Sequence, residues 1–165
     1  MNIINAEREK VVDYLNSLPK ENDNFGLIHG DLHLGNFFID ITRNKIAIFD
    51  FDDYVYGWFM MDIATLVFDF PVVYPETGNN ELVENFITHL LKGYISVKPI
   101  SEFWINQLPD FLKLLEIGIY MQVYKDYDPE DNESWIGKFM PGRKARIEDG
   151  IPYLEINFEQ IFRKP

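Results

Sequence analysis

The length, composition and charge of the chain limit the kind of protein it can be. Its 165 residues, of which 47% are hydrophobic and 16% aromatic, suffice for one domain with a real core and exclude an intrinsically disordered chain. The lack of cysteine excludes disulfides and thiolate metal sites, and the net charge of -12 argues against a nucleic-acid partner, which requires clustered Lys and Arg.

The first part of the chain predicts one helix followed by short strands. Apolar residues recur at helical spacing over residues 6–18, so this segment is predicted to form an amphipathic helix that Pro19 ends. Strands are predicted at residues 25–29, 37–41 and 45–49. Residues 42–44 are the predicted turn between the last two strands, which makes them a hairpin.

The rest of the chain has helical periodicity. Helices are predicted at residues 61–70, 80–97, 101–126 and 147–162. Pro109 is expected to kink or split the third of these, and Pro71, Pro75 and Gly78 indicate a loop after the first. The acidic stretch 126–133 is interpreted as a solvated loop or as one wall of a site for a cationic substrate. The predicted fold class is therefore α+β, predominantly α, with residues 1–165 in a single domain.

The residues with the clearest chemical meaning lie beside the predicted strands. They form the segments His29-Gly30-Asp31-Leu32-His33-Leu34-Gly35-Asn36 and Ile48-Phe49-Asp50-Phe51-Asp52. Phosphoryl transfer from ATP needs a carboxylate that orients or deprotonates the acceptor hydroxyl, and oxygen ligands that hold magnesium against the phosphates. Asp31, Asn36 and Asp50 supply such groups. Each is common alone, but a loop Asp, an Asn at this offset and a strand-terminal Asp form a restrictive combination.

This pattern resembles the family of aminoglycoside phosphotransferases, choline kinases and homoserine kinases, whose catalytic loop reads His-Gly-Asp. Gly30 distinguishes it from the His-Arg-Asp loop of protein kinases. The resemblance continues through Asp50-Phe51-Asp52, Gly57 and Asp62-Ile63-Ala64, and spans residues 27–66. It implies a protein-kinase-like C-terminal lobe in which small β-hairpins carry the catalytic loop, and an ATP-dependent phosphotransferase acting on a hydroxyl of a small molecule.

The resemblance also implies roles for the polar residues of both segments. Asp31 would be the catalytic base, and Asn36 and Asp50 would be ligands of the Mg2+ that accompanies ATP. His33 would either contact the transferring phosphate or support the loop. Asp52 would be a further magnesium or substrate group, or a solvated acid on a loop.

The remaining residues of the motif are expected to shape the site. Phe38 and Phe49 would form an apolar floor under the adenine. His29 has apolar neighbours and is interpreted as a structural residue that holds the loop. Asp62 is expected either to cap the following helix or to accept hydrogen bonds from the catalytic loop.

Two other functions stay open on the sequence. Gly30-Asp31-Leu32-His33 also resembles the opening motif of dinuclear metallophosphatases, although that fold needs further histidines and only His89 is left. A catalytically incomplete binding module or truncated pseudo-enzyme is the other alternative. It is suggested because only 28 residues precede His29, and these contain neither a glycine-rich loop nor a Lys placed to anchor phosphates.

The partners and location follow from the same observations. The N-terminal lobe that clasps ATP is expected to be absent, which would leave an apolar face exposed to bind that lobe or a second copy of the chain. The N-terminus lacks a basic stretch followed by an apolar run, and no apolar segment approaches the roughly 20 residues of a membrane span. A soluble, cytoplasmic protein without a membrane partner is expected.

Overall fold

The structure, a computed structural model, describes residues 2–74 and 80–163, so the predicted loop positions Pro75 and Gly78 lie outside the described part. The described elements are, in chain order, α1 (Asn2–Asn16), β1 (Phe25–Ile28), β2 (Phe37–Asp40), β3 (Lys45–Ile48), β4 (Val55–Trp58), α2 (Phe59–Val73), α3 (Asn80–Val97), α4 (Glu102–Ile105), α5 (Leu108–Asp126), α6 (Ile136–Phe139), α7 (Arg143–Glu148) and α8 (Phe158–Phe162). The chain is thus mainly helical with small strand pairs near its start, as predicted.

The core is built around α5, which packs against both α1 and α2. On α1, Ile4, Val11 and Leu15 are buried, and their spacings of seven and four residues place them on one helical face. Phe111 and Ile117 of α5 are wholly inaccessible to solvent. Each such side chain contributes roughly 1.5–3 kcal/mol when it is removed from water, so packing and not local helix propensity holds these helices in place.

The first helix differs from its predicted bounds of 6–18, because it begins at Asn2 and ends at Asn16, before it reaches Pro19. Its polar side is also tied to α5, since the Lys113 Nζ lies 2.6 Å from Glu7 Oε2. Hydrogen bonds from the ammonium groups of Lys10 and Lys113 lower the pKa of the Glu7 carboxyl to about 2. Together with the buried face, this contact fixes the orientation of α1 on α5.

The strands form two separate antiparallel pairs, β1 with β4 and β2 with β3. The three predicted strands are present and each is one residue shorter than expected at its C-terminal end. The β4 strand was not predicted, because it is specified by pairing with β1 far back in the chain. Gly57 illustrates this dependence: a Cβ there would lie 2.6 Å from Ile28 Cδ1, so a larger residue would require the Ile28 side chain of β1 to shift.

The helical predictions hold for α3 and for the break near Pro109, and they need correction elsewhere. Pro109 splits the predicted third helix, because it occupies the first turn of α5, where its missing N–H is tolerated. Pro71 does not start a loop, since α2 begins at Phe59 and continues through it to Val73. The predicted helix 147–162 is wrong: α7 ends at Glu148 and α8 begins at Phe158. Gly150 adopts a left-handed φ of 69°, which interrupts the helix despite its apolar periodicity.

No helix in residues 2–74 and 80–163 is both long enough and apolar enough to cross a bilayer.

Candidate active site

The loop of residues 29–36 links the two strand pairs and is anchored at its start by α2. The backbone N–H groups of His29 and Gly30 donate to the two carboxylate oxygens of Asp62, at 2.9 and 3.0 Å. Asp62 lies in the first turn of α2, and its side chain serves the loop and does not cap the helix. Of the two roles expected for Asp62, the geometry is that of loop support.

Gly30 is required by the close approach of another backbone segment. Its φ is +85°, and a Cβ there would lie 2.3 Å from the carbonyl oxygen of Asp53. Both the left-handed conformation and the contact exclude larger side chains at this position. The glycine of the His-Gly-Asp motif is therefore also required for packing, because it lets the 29–36 loop lie against the turn that follows Asp50.

His29 connects the loop to that same turn. The side chain is 6% exposed, its Nε2 lies 2.9 Å from the Phe49 carbonyl oxygen, and its ring centroid lies 4.8 Å from that of Phe51. Since a carbonyl can only accept, Nε2 carries the proton in this contact. The buried Nδ1 has no hydrogen-bond partner among the described residues. His29 thus sits between the two motif segments as a buried connection.

Asn36 and Asp31 are joined at the far end of the loop. Asn36 is 4% exposed, and its Nδ2 donates to the backbone oxygen of Asp31 at 2.9 Å. This bond uses the amide nitrogen and leaves Oδ1 as the atom able to ligate a cation. The Phe49 N–H donates to the Asn36 backbone oxygen at 3.1 Å, which brings Asn36 next to the strand end that precedes Asp50.

His33 is placed near the predicted base. Its Nδ1 accepts a hydrogen bond from the Gly35 N–H at 2.9 Å, while its Nε2 lies 3.6 Å from Asp31 Oδ2. The side chains of both His33 and Asp31 are about half accessible, at 39% and 48%. One ring nitrogen therefore supports the loop and the other faces the Asp31 carboxylate, so both roles expected for His33 are geometrically available.

Asp50 and Asp52 lie on the exposed turn after β3. Asp50 has a φ of +62°, which is uncommon for a residue with a side chain. Residues in such strained backbone conformations cluster at functional sites. Asp52 is exposed and its side chain has no hydrogen bond or ion pair with the described residues. No group of three or more His, Cys, Asp or Glu side chains lies close enough to hold a metal in the described part of the chain. The predicted magnesium ligands, Asn36 and Asp50, are not a group of this kind, because they combine one amide oxygen with one carboxylate. Oxygen ligands of this type fit Mg2+.

The two predicted floor residues form one aromatic pair on the β2–β3 hairpin. The ring centroids of Phe38 and Phe49 lie 4.9 Å apart, and Phe38 is 71% exposed. The opposite face of the hairpin is also uncovered, since Ile39 and Ile46 are paired in register and are 61% and 64% exposed. The hairpin therefore presents apolar surface on both of its sides.

A cleft of about 1020 Å3 opens beside Asp31 and His33. One wall comes from α2 and another from α5, and the stretch between α5 and α6 contributes Tyr127, Glu133 and Trp135. Glu133 is the member of the predicted acidic loop that reaches this cleft. The catalytic loop thus stands at the edge of a largely apolar space of the size that holds small molecules.

Asp69 belongs to this site and was not singled out in the sequence. The Leu34 N–H donates to its Oδ2 at 2.9 Å, and the side chain also lines the cleft. Asp69 follows Asp62 by seven residues, which is two helical turns, so both lie on one face of α2. The signal available in the sequence was this spacing from Asp62, for which hydrogen bonding to the loop was one of two expected roles.

Gly118 sits in the middle of α5 on the cleft wall, where a Cβ would meet no protein atom within 4 Å. We expect Gly118→Ala to raise the free energy of unfolding by roughly 0.5–1 kcal/mol, because glycine weakens a helix interior. The new methyl group also enters the cleft, so ligand affinity is expected to fall. Gly93→Ala in α3 is the matched control, since its Cβ is equally unobstructed and it does not line the cleft. Thermal unfolding and ligand titration of both variants test this; equal ligand affinities in the two would contradict it.

The fold and the 29–36 loop are those of a family of phosphotransferases. The family model described as the phosphotransferase enzyme family, APH, matches residues 4–100, which is more than half of the chain, and the chain belongs to this family. The predicted resemblance is confirmed.

The relatives of known activity include kinases of small molecules. Amicoumacin kinase of Bacillus subtilis (strain 168) is 35% identical over 158 residues, which are 94% of this chain and 46% of that protein. The solved structure of amicoumacin kinase hAmiN in complex with AMP-PNP, Ca2+ and Ami matches with a TM-score of 0.83 at 29% identity, over 97% of this chain and 48% of that one.

A more distant structure shares the fold. The microcompartment-associated aminopropanol kinase matches with a TM-score of 0.67 at 21% identity, over 89% of this chain and 44% of that one. This chain therefore spans about half the length of the relatives that it matches. The predicted kinase-like fold class is confirmed by these matches.

Proposed function

We propose that this chain carries the metal-holding and acceptor-binding part of an ATP-dependent phosphotransferase that acts on a hydroxyl of a small molecule. The observation that carries the proposal is the 29–36 loop, which α2 anchors so that Asp31 borders the cleft. The Asp31 carboxylate accepts the proton of the acceptor hydroxyl as that oxygen bonds to the γ-phosphorus of ATP. The bond from phosphorus to the bridging oxygen breaks, and ADP leaves with its electron pair.

Asn36 Oδ1 and the Asp50 carboxylate are the proposed protein ligands of Mg2+. The ion, when bound with ATP, neutralises charge that builds up on the phosphates during transfer. The amide nitrogen of Asn36 donates to the backbone oxygen of Asp31, and His29 donates to the carbonyl oxygen of the residue before Asp50. These hydrogen bonds position both ligands without using the oxygen atoms that would bind the metal. The AMP-PNP and Ca2+ of the hAmiN complex support a nucleotide and a divalent cation here.

The neighbouring residues complete the proposed nucleotide site. The exposed Phe38–Phe49 pair offers an aromatic surface on which an adenine can stack. His33 contacts the transferring phosphate through Nε2, and Asp52 supplies a further carboxylate to the metal or the substrate. We propose a cytoplasmic protein that binds neither nucleic acid nor membrane.

The uncovered β2–β3 hairpin supports a protein contact as part of the same proposal. Its exposed isoleucines and aromatic rings form an apolar surface beside the proposed nucleotide site. We propose that a nucleotide-clasping lobe or a second copy of this chain covers it.

The alternative function is a binding module without turnover, and the observation that favours it is the largely apolar cleft. Such a module would hold a ligand in the cleft without transferring phosphate.

Calorimetric titration of the chain with ATP and Mg2+ tests the proposed metal site. We expect micromolar binding that requires the metal, and a loss of at least about tenfold in affinity in Asp50→Ala, because one of two protein ligands is removed. Asp13→Ala is the control, since Asp13 is an exposed acid on α1 outside the site. The assignment of Asp50 fails if Asp50→Ala binds as tightly as the unaltered chain. Nucleotide binding without turnover of any acceptor would support the binding module.

A further inference from the structure

Helix α2 holds the 29–36 loop at two points. Asp62 accepts from the N–H groups at the start of the loop, and Asp69 accepts from the Leu34 N–H. Asp31 and His33 lie between these points, so both residues at the cleft edge belong to a stretch fixed at each end. Removing the Asp69 contact would leave the Leu34 N–H without a partner, because Leu34 has no other described acceptor for it.

Only one of the two Asp69 oxygens serves this anchor. Oδ2 accepts from Leu34, whereas Oδ1 accepts no hydrogen bond from the described residues. The side chain lines the same cleft as Asp31. A carboxylate oxygen at the edge of a ligand space is therefore available to a donor that the protein itself does not provide.

The surroundings of Asp69 favour a cationic donor with an apolar body. Val72 on α2 and Leu115 and Ile119 on α5 line the cleft and supply apolar surface. Its cationic side chains, Arg8 and Lys138, come from α1 and α6, and neither forms an ion pair with Asp69. The Asp69 charge is thus not neutralised by any described residue, and a charged donor gains more from it than a neutral one does.

We propose that Asp69 determines acceptor specificity: its Oδ2 positions the loop through Leu34, and its Oδ1 binds a protonated amine that the acceptor carries near its reacting hydroxyl. This inference rests on the proposed function, because it assigns the cleft to the acceptor. It makes the acceptor an amphipathic amino alcohol.

Asp69→Asn separates the two roles of the side chain. An asparagine keeps a carbonyl oxygen that accepts from the Leu34 N–H, so the loop stays anchored, but its side chain has no negative charge. Asp69→Ala removes both the anchor and the charge. Asp13→Asn on the exposed side of α1 removes the same charge from the protein without touching the cleft, and it controls for net charge.

The probes are 2-amino-1-phenylethanol, whose amine is protonated at neutral pH, and the neutral 1-phenyl-1,2-ethanediol. They share a ring and a benzylic hydroxyl and differ in the amine. Titration without nucleotide is expected to show that the unaltered chain prefers the amine by about tenfold or more, as hydrogen bonds to charged groups typically provide. Asp69→Asn is expected to bind both probes with the affinity of the diol, while Asp13→Asn keeps the preference.

Three outcomes would overturn the inference: equal binding of both probes to the unaltered chain, a preference that survives in Asp69→Asn, or no binding of either probe. If the preference survives in Asp69→Asn but Asp69→Ala loses thermal stability, Asp69 is only a loop anchor. Because no nucleotide is present, these results are independent of whether the chain binds ATP or transfers phosphate. Failure of the metal site and failure of the amine site are therefore distinguishable.

Discussion

Asp31→Asn is expected to lower the turnover number by about 10^2–10^4-fold, the usual contribution of a general base. Asparagine has nearly the shape of aspartate but cannot accept the acceptor proton. The loop should survive the change, because Asn36 bonds the backbone oxygen of Asp31 and not its carboxylate. The measurement is acceptor-dependent ADP release from MgATP across aminoglycosides, choline, homoserine and amphipathic amino alcohols.

Two further measurements make the Asp31 result specific. Nucleotide affinity should be unchanged in Asp31→Asn, since the proposed metal ligands are Asn36 and Asp50. Asp23→Asn, which removes an exposed carboxylate from the turn before β1, should retain full turnover. An Asp31→Asn protein that turns over acceptor at the unaltered rate would remove Asp31 from the mechanism.

Arg143→Met is expected to lower the free energy of unfolding by about 3–5 kcal/mol, the usual result of leaving one member of a buried ion pair alone. Glu116 on α5 is 1% exposed in its side chain, and Arg143 Nη1 lies 2.6 Å from its Oε1. The guanidinium also lies over the rings of Phe139 and Tyr153, at 4.6 and 5.2 Å from their centroids. Urea unfolding at neutral pH measures the loss.

The loss should depend on pH in a stated direction. Burial raises the pKa of the Glu116 carboxyl, and the nearby Arg143 guanidinium opposes that rise. Without Arg143 the folded-state pKa is higher still. An acid with a raised folded-state pKa stabilises the fold below its unfolded pKa and loses that contribution as the pH rises through the folded value. The destabilisation by Arg143→Met should therefore be larger at pH 7 than at pH 4.

Lys144→Met is the control for Arg143→Met. Lys144 pairs with Glu148 at 3.8 Å on the surface, with 59% of its side chain exposed, and such pairs contribute at most about 1 kcal/mol. The double change Glu116→Leu with Arg143→Met should recover much of the lost stability, because no buried charge is then left unpaired. Equal losses in the Arg143 and Lys144 variants would show that the buried pair contributes no more to the free energy of unfolding than the surface pair.

Much of the local structure could be predicted because it depends on short-range patterns. The β2–β3 hairpin follows from two alternating segments around a turn, and α3 has the predicted bounds because its apolar residues repeat at helical spacing. The helix predicted at residues 147–162 was wrong, because a short-range apolar pattern was its only basis. Its apolar residues have helical spacing, but Gly150 with its left-handed φ and Pro152 interrupt the helix. Tyr153 then stacks on Phe68 outside any helix.

The candidate site divides in a similar way. The sequence alone determined the residue types and spacing of the 29–36 and 48–52 segments. Their resemblance to the His-Gly-Asp family pattern indicated the family that the family model confirms. It left Asp62 with two expected roles, as a cap of the following helix or as an acceptor from the loop, and the geometry is that of the second.

Only the tertiary structure decided which side chains share one space. Asp69 joins the site because α2 lies alongside the loop, and Gly118 faces the cleft because α5 packs across it. The β4 strand and the Glu116–Arg143 pair likewise depend on contacts between segments distant in the chain. Such contacts leave no periodic trace in either segment, since each forms only when the whole core places the two partners together.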